Sequence, residues 1–330
     1  MKTFDFKVTY SQLLTPEIVF RLTQLHEYKG RLNRLLETDA AALSEIQETA
    51  ILQNVAASNT MEGITVAEDR LKKLILNKTN PQTDDEKKVA GYRDVLTSIS
   101  ANYDFLPPAP STILQLHRDL YKFSGKAVGG NYKNTVGEPC AESLASLCNA
   151  FEQALQDPIL DSLLLIPMFM VDFLNIAPFD NGTERMSRLL LALLLYRSGY
   201  NVEQYSSVDT ILLSTKASYD TALQHSSRNW GAGTNDYTPF TAYLLNTLVT
   251  AYKNFDEIAT QLTAKGLSKP DRVRGITSGR NHQKRNSKTV PGHQPNHRPA
   301  GAGRLAKQQT NHKNRRRPLH FLHLERRELT

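Results

Sequence analysis

An all-α, or mainly α, fold with one short hairpin follows from three features of the sequence. Residues Leu189 to Leu195 are apolar without a break, and a helix apolar on every face belongs in the middle of a core. Apolar residues recur at helical spacing through most of the chain from Val19 to Leu262. The best strand-and-turn signal lies at Gly129–Lys133, where two glycines precede Asn131 and Tyr132. At 330 residues the chain has room for one large or two smaller domains with a real core.

In order, Thr15-Pro16-Glu17 opens the first long helix with an N-cap, a proline at the first helical position and an acid near the positive end of the dipole. Val19, Leu22, Leu25, Leu32, Leu35 and Leu36 supply its inner face. A second helix carries Leu43, Ile46, Ile51 and Val55 and runs into Ser58-Asn59-Thr60-Met61-Glu62-Gly63, where spacing alone makes Gly63 a C-terminal cap. Helical patterns continue from Val66 to Leu76 and from Asp84 to Ile99. After the break at Leu106–Pro110, Ser111 reads as the cap of a helix carrying Ile113, Leu116 and Leu120, with His117 a surface or packing residue. Glu142–Leu155, Ser162–Ile176, Arg185–Gly199, Leu212–Ala222 and Thr241–Leu262 complete the helices. Trp230, the only tryptophan, is expected to pack rather than react.

The net charge of +7 is unevenly spread. From Asp271 to Thr330 there are 15 Lys/Arg against 3 Asp/Glu, so this segment holds +12 and leaves −5 for the first 270 residues. Aliphatic residues are few between Arg274 and Arg317, and no period is visible. Such a segment buries too little to offset its ordering entropy, so it reads as a disordered basic tail. Residues such as Arg315, Arg316 and Arg317 would attract nucleic-acid phosphates without sequence specificity. The other explanation is translation from a shifted reading frame. Cys140 and Cys148 give neither a disulfide framework nor a metal-ligand spacing. The N-terminal stretch lacks the apolar core of a signal peptide, and Ser162–Ile176 is too short to span a bilayer. A cytoplasmic protein without a membrane segment is the expectation.

The chemistry is concentrated just before the apolar helix. Pro178-Phe179-Asp180-Asn181-Gly182-Thr183 is a turn rich in N-capping residues. Arg185 and Arg188, three apart, follow on one face of the first turns. Free N–H groups at a helix start beside two arginines make a natural anion site.

Ala177 to Arg188 resembles the signature HPFx[DE]GNGRxxR of the Fic (Fic/DOC, Fido-domain) family. Pro178, Phe179, Gly182, Arg185 and Arg188 match, whereas Ala177, Asn181, Thr183 and Glu184 depart from it. The resemblance implies a helical Fic core with a β-hairpin flap, and transfer of AMP from ATP to a hydroxyl of a target protein. It places a general-base histidine where Ala177 stands and the magnesium carboxylate where Asn181 stands, with Asp180 as the nearest substitute. Phosphate binding would fall to Asn181, Gly182, Thr183, Glu184, Arg185 and Arg188. Ser58, Glu62 and Gly63 fit the family's inhibitory motif [ST]xxxE[GN], whose glutamate reaches the second motif arginine, here Arg188. Gly130, Tyr132 and Lys133 fit the start of the flap that docks the target. Here the chain passes from Val136 through Gly137-Glu138-Pro139 into a helix, so the flap is expected to be truncated.

The resemblance divides the chain into an N-terminal helical region with the inhibitory motif (1–105), a Fic core (106–264), and a linker with the basic tail (265–330), where many Fic proteins continue into a winged-helix domain. A methyl group cannot accept a proton, and loss of a positioned base costs roughly 10²–10⁴-fold. An amide is a poorer ligand than a carboxylate for a hard cation. Glu184 adds bulk and negative charge beside an anionic ligand, and any φ > 0 required there would be costly. ATP and Mg²⁺ are the expected ligands, bound weakly, and a protein target and a homo-oligomer are the expected partners. Three readings compete: a Fic pseudoenzyme with little or no AMP transfer, a rearranged site that removes phosphate or AMP, and a scaffold or nucleic-acid binder acting through the tail.

Overall fold

The computed structural model describes residues 2–38, 40–124, 129–133 and 140–264, and excludes the side chains of 38, 40–42, 45 and 261–264. The basic tail, the linker and most of the flap lie outside the described residues. Within them the fold is twelve α-helices joined by short 3₁₀ turns, with no strand. These are α1 Phe6–Tyr10, α2 Pro16–Thr38, α3 Ala40–Met61, α4 Glu68–Ile75, α5 Asp84–Asn102 and α6 Pro110–Leu120. They continue with α7 Cys140–Leu155, α8 Ser162–Ile176, α9 Thr183–Arg197, α10 Val208–Ser214, α11 Lys216–Ser227 and α12 Thr238–Ala264.

The centre is the pair α8 and α9. All side chains from Leu163 to Phe173 are buried, as are those from Arg185 to Tyr196, so α9 is closed on every side as its composition requires. Around this pair α7 packs on α8, α5 on α9, α3 on α10 and α2 on α12. The helices of 1–105 therefore pack directly on those of 106–264.

Local signals set most boundaries. The Thr15 hydroxyl accepts from the Ile18 amide, the Thr83 hydroxyl from Glu86, the Asp161 carboxylate from Leu163 and the Ser207 hydroxyl from Thr210. Helix α3 ends in a Schellman motif: Gly63 (φ +70°) donates to Thr60 O at 3.0 Å and Ile64 to Asn59 O at 3.0 Å. This places Glu62 at a fixed angle just past the last helical turn.

Several expectations need correction. On α2 the inner face takes Ile18 (1% exposed), and Val19 is 46% exposed, a one-residue rotation of the stripe. Ser111 is not a cap: Pro110 occupies the first helical position and Ala109 precedes it in extended conformation, since proline's fixed φ suits the first turn. The helix expected over Leu212–Ala222 breaks at Thr215 (φ −113°, ψ 25°). There the Thr215 hydroxyl bonds Ile211 O at 2.7 Å and meets the Tyr243 hydroxyl at 2.7 Å, a side-chain alternative to the backbone ladder. Gly129–Lys133 forms no strand. It bonds instead to α6 and to the loop before α9, through Gly130 and Lys133.

Helix α5 approaches α6 closely at Gly91, where a Cβ would lie 2.1 Å from Leu120 O. Backbone on both sides cannot yield cheaply, so Gly91→Ala is expected to destabilise the protein by roughly 1–3 kcal/mol or more, read as a lower urea midpoint at unchanged slope.

Candidate functional site

The six-residue loop between α8 and α9 is gripped from three directions. Ala177 closes α8 in the left-handed region (φ 44°, ψ 67°), its amide donating to Phe173 O at 3.0 Å. A non-glycine residue there costs about 1–2 kcal/mol, which the surrounding contacts must offset. Lys133 holds this corner twice: its amide donates to Pro178 O at 2.9 Å, and its ammonium donates to Ile176 O at 3.1 Å, a cation on the carbonyl end of α8.

From α6, His117 reaches into the loop. It is 2% exposed and stacks on Phe179 with ring centroids 3.7 Å apart. The Gly130 amide donates to Nδ1 at 2.9 Å, and Nε2 donates to the Asn181 carbonyl at 3.0 Å. This pair of bonds requires the neutral imidazole with its proton on Nε2. Burial, with the Arg185 guanidinium adding to it, lowers its pKa to about 4 against the opposing Asn181 bond. The expectation of a packing role holds; a place on the helix surface does not. One turn on, Tyr121 crosses the loop at Gly182. With φ +81° and a hypothetical Cβ only 2.6 Å from the Tyr121 hydroxyl, that position accepts glycine alone.

The two arginines separate. Arg185 is buried, donates to the Lys88 carbonyl at 3.3 Å and lies 5.2 Å over the Tyr121 ring. Arg188 is buried and turns to α3. Its Nε donates to Ser58 Oγ at 2.6 Å, and one terminal nitrogen donates to Ser58 O at 3.1 Å and to Glu62 Oε1 at 2.8 Å. Beneath it lies Asp209, 1% exposed, which accepts from the Tyr92 hydroxyl at 2.9 Å and takes its backbone position from Asn54. Burial raises the Asp209 pKa to about 6, with Arg188, Tyr92 and the Ser58 hydroxyl opposing it. Burial raises the neighbouring Glu203 carboxyl well above its ordinary value, reinforced by Asp209. Burial works against the Arg188 charge, but the groups around it, Tyr92, Asp209 and Glu62 among them, outweigh that and hold its pKa above the ordinary value.

Asp180, Asn181 and Glu184 are exposed, Thr183 is buried and Gly182 is intermediate. Glu184 lies in regular right-handed helix, so the feared φ > 0 at this position does not arise; Gly182 carries it. Gly182 offers no side chain to the first turn of α9, which leaves that turn's N–H groups for an anion. The exposed Glu184 in the same turn opposes one. Magnesium fits poorly: the Asn181 carbonyl is engaged by His117, and Asp180 is the single carboxylate of residues 178–183. Among the described residues no group of three His, Cys, Asp or Glu could hold a metal ion, and no helix is long and apolar enough to cross a membrane.

The contributions of His117, Tyr121, Tyr92 and Asp209 were not foreseen. They meet partners far along the chain, as in His117–Asn181 at 64 positions, Tyr92–Asp209 at 117 and Asp209–Asn54 at 155, so no local pattern marks them.

This arrangement of helices is that of solved Fic-domain proteins. A Fic family protein from Desulfovibrio desulfuricans superposes with TM-score 0.62 at 20% identity, covering 80% of this chain and 85% of that one. Fic-1 from C. elegans gives 0.63 at 18% identity, covering 76% and 75%. A Fic domain containing signaling protein from Bacteroides thetaiotaomicron gives 0.60 at 20% identity, covering 71% and 95%. In sequence, proteins named Protein adenylyltransferase Fic from Drosophila grimshawi and Culex quinquefasciatus are similar at 28% over 193 residues and 25% over 196. These alignments take in 54% of this chain and 40% and 39% of the relatives, so the chain spans about two fifths of their length. No family model matches. The chain thus has the fold of Fic-domain proteins and, over about half its length, sequence similarity to proteins named Protein adenylyltransferase Fic.

The pH response of the His117 clamp follows from its geometry. Because its folded pKa lies below the unfolded value of 6.5, its contribution is complete above pH ~6.5 and is lost as pH falls towards about 4. A shift of this size is worth about 3 kcal/mol. His117→Gln, which keeps one donor and one acceptor, is expected to flatten the fall in unfolding free energy over this window in urea titrations at successive pH values.

Proposed function

We propose that this chain is a Fic-type nucleotide-site protein in which Glu62 restrains Arg188 and AMP transfer is severely impaired. In this reading residues 1–105 are the restraining region, 106–264 the core, and 265–330 a basic extension. The relatives named as protein adenylyltransferases supply the reaction type, AMP transfer from ATP to a protein hydroxyl. The observation that carries the impairment is Ala177. It occupies the corner between α8 and the loop, where a base would have to take the proton of the attacking hydroxyl, and its side chain ends at Cβ.

The remaining parts of such a site are unequal. The first-turn amides of α9 and the Gly182 turn suit a phosphate. Arg188 would hold an outer phosphate only after leaving Glu62, because one guanidinium edge cannot serve both. Glu184 repels the ligand. A neutral Asn181 withholds the carboxylate that would hold magnesium, so no step is assigned to the metal. Gly130 and Lys133 are spent partly on bracing the loop, and a target strand would dock beyond them and Tyr132. Each change reduces stabilisation of the charge that develops at phosphorus, and the lost base acts on the proton.

Two measurements test this. In calorimetry with Mg-ATP, Glu62→Gly is expected to tighten binding tenfold or more, about 1.4 kcal/mol, relative to the unsubstituted chain. With α-labelled ATP, Ala177→His in the Glu62→Gly background is expected to raise AMP incorporation by roughly 10²–10⁴-fold. Labelling by the unsubstituted chain as fast as by the restored variant would overturn the impairment. ATP affinity indifferent to Glu62 would overturn the restraint.

A further inference from the structure

In the second half of α8, five residues before Ala177, a second buried carboxylate faces a second cation. Asp172 is 2% exposed, and its Oδ1 accepts from Trp230 Nε1 at 2.7 Å, from the Tyr237 hydroxyl at 2.7 Å and from Lys2 Nζ at 3.0 Å. The Lys2 ammonium also donates to Asn235 Oδ1 and the Tyr237 hydroxyl, each at 2.8 Å. It lies 4.9 Å from the Trp230 ring centroid and 5.1 Å from that of Tyr237. A cavity of about 450 Å³ adjoins these groups, with Phe4 and Met168 also on its wall.

We propose that Asp172, Asn235, Trp230 and Tyr237 form a binding site for a primary alkylammonium ion, filled in this structure by the chain's own Lys2. A primary ammonium has three N–H donors and no acceptor, and this site presents three oxygens to it. The two aromatic faces add the attraction of a ring quadrupole for a cation. The carboxylate is built into a helix whose residues from Leu163 to Phe173 are all buried, where an unneutralised charge is expensive. The site is therefore organised around a cation whichever molecule brings it. Lys2 belongs to the segment before the five-residue α1, whose own anchor in the core is Phe6, 3% exposed and edge-on to Phe151, so removing the ammonium leaves that anchor in place. The adjoining cavity has space for the carbon stem of an incoming amine, whose chemistry is that of a lysine side chain or a small free amine.

Chemical rescue of the full chain tests this, with Trp230 as the sole tryptophan reporter. Lys2→Ala is expected to shift Trp230 emission and lower the melting temperature. n-Butylammonium chloride should reverse both changes saturably, while sodium chloride or tetramethylammonium chloride at equal ionic strength should not, because neither offers an N–H donor. Unsubstituted protein, its site filled, should not respond. Rescue by N-acetyl-lysine amide as well as by n-butylammonium points to a peptide lysine as the source; rescue by n-butylammonium alone points to a free amine. The proposal is overturned if Lys2→Ala gives the same response to all three salts, or if Lys2→Ala/Asp172→Asn responds to n-butylammonium as Lys2→Ala does. Should Lys2→Ala not fold unaided, its refolding yield from urea is compared in n-butylammonium and sodium chloride: a higher yield in the amine supports the site, and equal yields overturn it.

Discussion

A guanidinium buried at the heart of an apolar helical body sets the terms for this fold. Arg188 lies on a helix with no exposed face around it, and its charge is met by Ser58, Glu62 and Asp209 from two other helices. A buried charge without such partners costs several kcal/mol, and breaking a buried pair by removing one member costs about 3–5 kcal/mol. The register of α3 against α9 is thereby tied to one side chain. The Schellman turn at Gly63 matters for the same reason, because it turns the chain just after Glu62 and holds that carboxylate over the arginine.

The loop before α9 follows a different principle. Its backbone is held through the carbonyls of Ile176, Pro178 and Asn181, which accept from the Lys133 ammonium, the Lys133 amide and the His117 ring. Such bonds keep a shape without depending on the identity of the loop's own side chains. Ala177, Asn181 and Glu184 can therefore depart from the Fic signature while the corner, the glycine turn and the helix start remain. The contacts that hold the loop's shape therefore do not run through the side chains of Ala177, Asn181 or Glu184.

Two buried carboxylates near the central helices show how the body handles charge. Asp172 is matched by an ammonium and two neutral donors, and Asp209 by a guanidinium and a tyrosine hydroxyl. Lys2 reaches Asp172 across 170 positions, whereas Arg188 faces Asp209 from the preceding α-helix, so each pair adds a charge contact to the apolar packing of its segments. Hydrophobic burial draws the helices together, and these pairs choose among the packings that burial would allow.

Helix positions were legible in the sequence because they depend on near neighbours: the Thr15-Pro16 start, the Gly63 stop and the Leu189–Leu195 run each act within a turn or two. The motif from Pro178 to Arg188 was legible for the same reason, since it is a matter of residue identity within a dozen positions. The break at Thr215, the inward turn of Ile18 in place of Val19, and the bracing role of Lys133 were decided by partners far along the chain. Only the tertiary structure could send Arg185 to Tyr121 and Arg188 to Ser58, seat His117 under the loop, and bring Lys2 to Asp172 across 170 positions. Side chains on one helix face share a direction by geometry, but which groups meet them is fixed by packing, and packing is written in the whole sequence at once.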